Sequence, residues 1–301
     1  MASRTASTPR ARRSQGVWAN PVLPYLLTAP AILFVGGVLG YAVVSGFVTS
    51  LYKVEVWSIE QPFVGFDNYL DLFQDDKFIN SLTRSFIFVF GTIAIGFFLS
   101  LGFALVLSQV RVARGLFRGI ALIPYLVSGI ATAVMWRFLF VGSNSLINHI
   151  TTALGFGTVS WLGDPTNALI VVILANVWFI SPFATLILLA GLQTIDNELY
   201  EAASIDGARW HQQFIHITLP AIMPMIALSM MWLSFASFNM FDIILPLTGG
   251  GPGRATEVLA VYMYQLAFRS LDYSGASAVM MVLLVINLTF SVVYLRIFRE
   301  R

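Results

Sequence analysis

The stretch PTNALIVVILANVWFISPFATLILLAGLQTI, residues 165–195, runs for 31 residues without a charged side chain or a histidine. An α-helix needs about 20 predominantly apolar residues to cross the hydrocarbon core of a bilayer, which is roughly 30 Å thick. The stretch is therefore long enough to form a membrane-spanning helix and part of a connection. Asp164 and Asp196 bound it and place polar groups at its two ends.

Five further runs lack charges and histidines, and they are 39, 26, 18, 25 and 23 residues long. They lie between Arg13 and Lys53, Arg84 and Arg111, Arg118 and Arg137, His216 and Asp242, and Asp272 and Arg296. The sequence thus predicts an all-α integral membrane protein with six transmembrane helices. The first run has an apolar part far longer than the 7–15 residues of a signal-peptide core, so we expect a retained span.

The composition excludes several other classes of protein. Charged residues make up 11% of the 301 residues and hydrophobic residues 57%, whereas a soluble domain carries about 25% charged residues. The net charge is only +2, and the basic residues form short clusters, which argues against a nucleic-acid partner. Without cysteine and with three histidines, the chain offers little material for a metal site, and we predict none.

The distribution of lysine and arginine predicts the orientation in the membrane, because these residues are retained on the cytoplasmic side. With the N-terminus inside, the inner segments collect eleven basic residues and the outer segments five, with Arg137 at the outer end of the third span. Both termini are therefore expected in the cytoplasm. The sequence predicts a basic, disordered tail over residues 1–20 and one six-helix domain over residues 21–301.

Prolines and glycines within the predicted spans indicate bends and close packing. Each proline removes a backbone donor and favours a kink, although a membrane helix also tolerates proline without functional consequence. Small residues allow two helices to approach closely. The prolines are Pro124, Pro182, Pro220 and Pro224, and the glycines in the second span are Gly91, Gly96 and Gly102.

No ionisable residue lies near the centre of a predicted span. Such a residue costs about 2.5–3.5 kcal/mol at the span centre and marks proton relays and ion sites. Asp242 comes nearest, but its position close to the outer interface favours a hydrated carboxylate. An ion-coupled carrier would therefore lack its usual groups, and we expect the energy source on another chain.

One inner segment is long enough to form structure of its own, TIDNELYEAASIDGARWHQQFIHITLP, residues 194–220. Asp196 or Asn197 can cap a helix whose first turns are acidic, as the helix dipole prefers. Gly207 suits a helix end in the left-handed conformation. We predict a short helix, a turn at Gly207 and a second helix that runs to Pro220.

This segment resembles the EAA loop of permease subunits in bacterial binding-protein-dependent ABC importers. The resemblance rests on Glu201, Ala202 and Ala203, then Gly207, and then Ile217, Leu219 and Pro220. Two predicted outer loops resemble the carbohydrate branch of that family, which includes maltose and glycerol phosphate permeases. They are Phe63–Phe73 (FVGFDNYLDLF) and Leu247–Phe268 (LTGGGPGRATEVLAVYMYQLAF).

The resemblance implies a type I ABC importer permease that forms half of a translocation path in the bacterial cytoplasmic (inner) membrane. Its implied partners are a second permease subunit, two ATPase subunits and an extracytoplasmic sugar-binding protein. The chain itself would be no enzyme and hold no cofactor, because ATP and Mg²⁺ would bind to the ATPases. The implied coupling residues are Glu201, Ala202, Ala203, Asp206 and Gly207.

The implied solute path is built of residue types that suit a sugar. Aromatic faces stack on sugar C–H surfaces, and amides and hydroxyls bond to sugar hydroxyls. The same aromatic spacing is also typical of helix packing, so packing remains the alternative for these positions. By resemblance to maltose permease, the residues lining the path are Trp178, Phe179, Ile180, Phe183, Ser237 and Asn239.

A self-contained secondary carrier or channel is the alternative function. The EAA-like segment favours the ATPase-driven permease, and so does the lack of a GxxxxGK[ST] phosphate-binding motif on this chain. No serine–histidine–aspartate set or carboxylate pair converges in a predicted span, which disfavours a membrane enzyme.

Overall fold

The computed structural model describes residues 23–54, 60–110 and 112–299. The predicted basic tail, residues 1–20, lies outside the described residues. The chain divides into two compact units, Met1–Val48 and Thr49–Arg301. The described part of the first unit, residues 23–48, belongs to one apolar helix, α1 (Leu23–Ser50), which contains Pro30.

The second unit is helical. Within the described residues, the β pairing is limited to one isolated antiparallel bridge between Tyr52 and Phe63. Its helices are α2 (Asp67–Gln74), α3 (Asp76–Gln109), α4 (Arg114–Leu126), α5 (Gly129–Phe140), α6 (Leu146–Ala153), α7 (Pro165–Leu192), α8 (Asn197–Ile205), α9 (Trp210–Gln213), a π-helix (Phe214–Thr218), α10 (Leu219–Ala221), α11 (Met223–Phe238), α12 (Ile244–Thr248), α13 (Leu259–Phe268) and α14 (Tyr273–Arg299).

Four of the described helices are each long and apolar enough to cross a membrane: α1, α3, α7 and α14. Two bent pairs, α4 with α5 and α9–α10 with α11, raise the number to six if each pair is one span. The all-helical membrane fold is therefore confirmed, with four to six candidate spans. The third and fifth predicted spans differ from simple helices because each is broken.

Proline chemistry explains both breaks. The third span bends by 86° between α4 and α5, three residues after Pro124, and Val127 N donates back to Pro124 O at 3.4 Å to close the last turn of α4. The fifth span bends by 70° at Ile222, which lies between Pro220 and Pro224. Pro182 behaves differently, since α7 continues through it for 28 residues.

The core of the second unit forms where α3, α7 and α11 pack against one another. Small residues allow this approach: a Cβ on Gly91 would stand 2.9 Å from Ile173 Cδ1, and one on Gly96 would stand 3.2 Å from Ser181 Oγ. The prediction of close packing is wrong at Gly102, where a Cβ would meet nothing within 4 Å. Gly102 is exposed among the described residues.

Candidate functional site

The segment predicted to couple to an ATPase forms a helical hairpin, residues 197–221, which we call the coupling hairpin. Its first arm is α8, preceded by Asp196 at the N-cap position with extended backbone (φ −68°, ψ 132°). The Asp196 side chain makes no capping hydrogen bond, so its contribution is the favourable charge at the helix N-terminus. Glu198 adds a second negative charge in the first turn.

The turn at Gly207 has the predicted left-handed conformation, with φ at +79°. Ala208 N donates to Ala203 O at 2.9 Å, and Gly207 N donates to Ser204 O at 3.1 Å. These two bonds form a Schellman motif, which satisfies the last carbonyls of α8. Most side chains at this position would be strained, because residues other than glycine, asparagine and aspartate rarely adopt positive φ.

The second arm is helical up to Ala221, but it is not the regular α-helix that the sequence predicts. Residues 214–218 form a π-helix, and Leu219 N donates to Phe214 O. Pro220 has no N–H to donate to His216 O, and the wider turn of the π-helix accommodates the absence of that bond. Two side-chain bonds hold the arms together, Tyr200 OH with Thr218 Oγ1 at 2.8 Å and Gln213 Nε2 to Ser204 Oγ at 2.9 Å.

Most of the predicted coupling residues are exposed. Ala203 is half-buried and the other four are exposed, and neither carboxylate has an ion-pair partner among the described residues. Two large apolar side chains nearby are also exposed, Ile205 at 87% and Trp210 at 77%.

A groove of about 350 Å³ runs between the two arms of the coupling hairpin. Ala203, Asp206 and Gly207 contribute one wall, and Gln212, Gln213 and His216 contribute the other. Three of the predicted coupling residues thus form one wall of this groove, and they combine small residues with a carboxylate.

Aromatic side chains from three helices meet beside the break of the third span. Tyr125 of α4 lies with its ring centroid 6.0 Å from Phe179, 5.3 Å from Phe183 and 5.9 Å from Trp232. Phe183 and Trp232 are closer still, at 4.4 Å. Sequence reasoning selected Phe179 and Phe183 but missed Tyr125 and Trp232, although Tyr125 directly follows Pro124.

The other predicted path residues occupy different environments. Trp178 is half-buried and meets Trp136 edge to face at 6.4 Å. Ile180 is 1% exposed, so its side chain packs in the core, and its carbonyl accepts a bond from Trp232 Nε1 at 3.3 Å. Asn239 is exposed and donates to Phe235 O at 2.8 Å.

Ser237 belongs to a buried polar cluster between α3, α7 and α11. Asn176 Nδ2 donates to Ser237 Oγ at 3.0 Å and to Thr92 Oγ1 at 3.3 Å, and all three residues are fully buried. Asn176 Oδ1 has no partner within the described chain. In this conformation Ser237 therefore connects helices, and the six predicted path residues do not share one environment.

Sequence reasoning missed a buried carboxylate in the loop between α12 and α13. Glu257 is 3% exposed, pairs with Arg254 and accepts a bond from Ser81 Oγ at 3.0 Å. Close by, Tyr262 OH donates to Asp75 Oδ2 at 2.7 Å. Burial and the Asp75 carboxylate raise the pKa of Tyr262, so it remains a donor. These contacts fix the loop onto the N-terminal end of α3.

Comparison with protein families matches residues 92–300 to the family described as binding-protein-dependent transport system inner membrane component. The trehalose/maltose transport system permease protein MalF of Thermococcus litoralis is 38% identical over 282 residues, 93% of this chain and 94% of that one. The sn-glycerol-3-phosphate transport system permease protein UgpA of Yersinia pestis is 34% identical, covering 89% of this chain and 91% of its own. The sulfoquinovosyl glycerol transport system permease protein SmoG of Agrobacterium fabrum is 32% identical, and the match covers 93% of this chain and 91% of that one.

Solved structures agree in fold. A chain of a bacterial ABC transporter that imports the acidic polysaccharide alginate superposes with a TM-score of 0.78 at 24% identity, covering 92% of this chain and 95% of that one. A chain of a bacterial alginate ABC transporter in complex with an alginate pentasaccharide-bound periplasmic protein superposes with a TM-score of 0.78 at 22% identity. The match covers 96% of this chain and 98% of that one. The type I importer permease architecture is thus confirmed, and the family match favours the permease over the self-contained carrier. The chain belongs to the family of inner membrane components of binding-protein-dependent transport systems.

Proposed function

We propose that this chain is one of two permease subunits of an ATP-driven importer for a sugar or sugar derivative, and that it forms half of the translocation path. The observation that carries the proposal is the match to the trehalose/maltose permease over nearly the full length of both chains. Two further relatives are named for glycerol phosphate and for a sugar-linked glycerol, which agrees with a polyhydroxylated solute.

The coupling hairpin is the contact for the ATPase in this proposal. Glu201 and Asp206 offer unpaired carboxylates to basic side chains across the contact, and Ala202 allows close approach. The Schellman turn at Gly207 makes the hairpin stiff, so a displacement of the ATPase surface moves the two arms together. The second arm continues through α10 into α11, which carries that displacement into the fifth span.

The solute path in this proposal includes the aromatic cluster around Tyr125. Half-buried rings of Phe179, Phe183 and Trp232 offer faces to the C–H surface of a sugar, and Trp178 lies on the same helix. Asn239 supplies an exposed amide at the end of α11. Ile180 and Ser237 are buried in this conformation and contribute to the path only where α7 and α11 separate.

The proposal places both termini in the cytoplasm and the chain in the bacterial inner membrane. It adds a second permease, two ATPase subunits that bind ATP and Mg²⁺, and an extracytoplasmic binding protein. The chain contributes no catalytic residue of its own. Solute delivery by the binding protein and ATP hydrolysis by the ATPases then supply specificity and energy.

Reconstitution tests the proposal. The chain, tagged and isolated from its native membrane with its bound partners, is placed in lipid nanodiscs, and ATP hydrolysis is measured with the binding protein and a panel of sugars. We expect at least one sugar to stimulate hydrolysis only when the binding protein is present. Sugar uptake by the chain alone in proteoliposomes, without ATP, would contradict the proposal and favour a carrier.

A further inference from the structure

One cavity lies away from the aromatic cluster, beside the C-terminal end of α5. It has a volume of about 610 Å³ and is lined by the loops that flank α6 and by residues of α5 and α12. This volume is within the range of small-ligand pockets. Side chains that line it include Arg137, Ser143, Thr158, Ser160, Trp161 and Thr248.

The wall of this cavity is built rigidly around Asn148. Asn148 Nδ2 donates to Gly142 O at 2.9 Å and to Val159 O at 3.0 Å. Its Oδ1 accepts from Val159 N at 2.9 Å and from Trp161 Nε1 at 3.2 Å. One buried amide thus ties the loop before α6 to the loop after it, so the cavity has a preformed shape.

The charge at the cavity is positive. Arg137 is the one cation among the lining residues, and no carboxylate lines the cavity. Its guanidinium is exposed and donates to Pro246 O at 3.1 Å, which leaves most of its five N–H donors for another acceptor. Asp164 lies close in sequence, but its carboxylate accepts from Thr166 N and Asn167 N at 2.9 Å and caps α7 instead.

The inner end of the cavity is closed. Phe140 and Leu247 line it and belong to the hydrophobic core, at 8% and 1% exposure. Trp161 meets Phe140 edge to face at 5.6 Å and seals the wall beside it. A solute in transit needs an open passage, whereas a blind cavity suits a side chain that enters and stays.

We propose that this cavity receives an acidic side chain of the extracytoplasmic binding protein, whose carboxylate pairs with Arg137. The inference rests on the proposed function, which supplies the binding protein and places this end of α5 on the outer side. Arg137 presents a planar fork that matches a carboxylate in a bidentate geometry. The cavity then gives the binding protein one fixed point of attachment.

The test measures the affinity of the binding protein for the assembly in nanodiscs, by surface immobilisation and without transport. Arg137→Glu reverses the charge, and Arg137→Lys keeps it. Ser143→Asp adds a negative charge to the wall without touching the bond from Arg137 to Pro246, and Ser143→Asn is its matched neutral control. We expect Arg137→Glu and Ser143→Asp to weaken the affinity at least tenfold, and Ser143→Asn to change it less than twofold.

A charge swap identifies the partner residue. Exposed aspartates and glutamates of the binding protein are changed singly to lysine, and one of them should restore binding to the Arg137→Glu assembly. Affinities within twofold of the parent for both charge variants overturn the proposal. Loss with Arg137→Glu alone, and not with Ser143→Asp, also overturns it, because it assigns Arg137 to the contact with Pro246.

Transport measurements separate this inference from the proposed function. If the charge variants bind the protein normally but import less solute, the cavity does not hold the binding protein and the inference is wrong. If the parental assembly fails to recruit any binding protein, the proposed function and the inference both fail. Normal parental recruitment that the variants do not alter overturns the cavity assignment alone.

Discussion

Ser81 Oγ donates a 3.0 Å hydrogen bond to Glu257 Oε1, although the two residues are 176 positions apart in the chain. The bond joins the second turn of α3 to the loop between α12 and α13. Both residues are buried, and Arg254 neutralises the carboxylate. A buried charge is tolerated when it is paired and hydrogen-bonded, so this contact is a structural anchor for the loop.

Glu257→Gln should destabilise the protein because it leaves Arg254 without its anion while keeping the bond to Ser81. The loss of a bond to a buried charged group costs about 1–3 kcal/mol, which is expected to lower the midpoint of thermal unfolding in detergent by several degrees. Asp71→Asn, an exposed carboxylate on α2, is the control and should have no measurable effect. Equal midpoints for Glu257→Gln and the parent would show that the ion pair does not stabilise the loop.

Gly207→Val should uncouple ATP hydrolysis from uptake because a β-branched residue resists the positive φ of this turn. Gly207→Asn should retain most of the activity, since asparagine tolerates the left-handed region. Uptake and ATP hydrolysis are compared at equal membrane abundance. Gly157→Val is the matched control, because Gly157 also has positive φ (+73°) with open space around it; it should leave coupling intact.

Glu201→Ala should weaken the docking of the ATPase through the loss of an exposed carboxylate on α8. The expected phenotype is normal membrane insertion with reduced co-purification of the ATPase. Glu198→Ala, in the first turn of the same helix, controls for the helix dipole. Parental co-purification and uptake for Glu201→Ala would contradict the coupling assignment of this residue.

Trp178→Ala and Asn239→Ala should each reduce uptake about tenfold or more while the assembly with the ATPase stays intact. The reason is the loss of a stacking face for the sugar in one variant and of a hydrogen-bond partner in the other, at about 1–3 kcal/mol each. Leu228→Ala, an exposed position on α11, is the control. Normal uptake kinetics for Trp178→Ala and Asn239→Ala would assign both residues to packing.

Single cysteines test the orientation, because the chain has no native cysteine. Cysteines at Ser108 and Ser204 should be shielded from an impermeant thiol reagent in intact cells, whereas cysteines at Asp71 and Gly253 should be labelled. Ser145 also lies in a predicted outer segment, but it is 4% exposed and caps α6. A cysteine at the exposed Ser143 is therefore used in its place and should be labelled. Labelling at Ser204 from outside would reverse the predicted topology.

Asp242→Asn should stabilise the protein at neutral pH. Burial raises the pKa of Asp242 above its ordinary value of 3.8, and the N–H groups of Asp242 and Ile243 only partly oppose this. A carboxyl whose pKa is higher in the folded state favours folding while it is protonated, and that contribution is lost as the pH rises through the folded pKa. Thermal stability measured from pH 4 upward should therefore fall less for Asp242→Asn than for the parent, and parallel curves would contradict this.

The sequence by itself determined the class of the fold. Charge-free runs such as 165–195 exceed the thickness of a bilayer, and in lipid a chain must satisfy its backbone bonds within each helix. The sequence also predicted the turn at Gly207 and the bends next to Pro124 and Pro220, because these depend on the backbone of one residue. Local chemistry of this kind can be read without knowing the neighbours.

Only the tertiary structure decided which residues meet. The bond between Ser81 and Glu257, the approach of Tyr125 to Phe183, and the cavity beside Arg137 each join segments that are distant in sequence. Periodicity identifies the faces of a helix but not the helix that a face will contact. The resemblance to maltose permease grouped Ile180 and Ser237 with Trp178, although the first two are buried. The same limit applied to Gly102, where an added Cβ would meet no atom within 4 Å. Burial and partner choice arise from the packing of all helices at once, and no single stretch of sequence contains them.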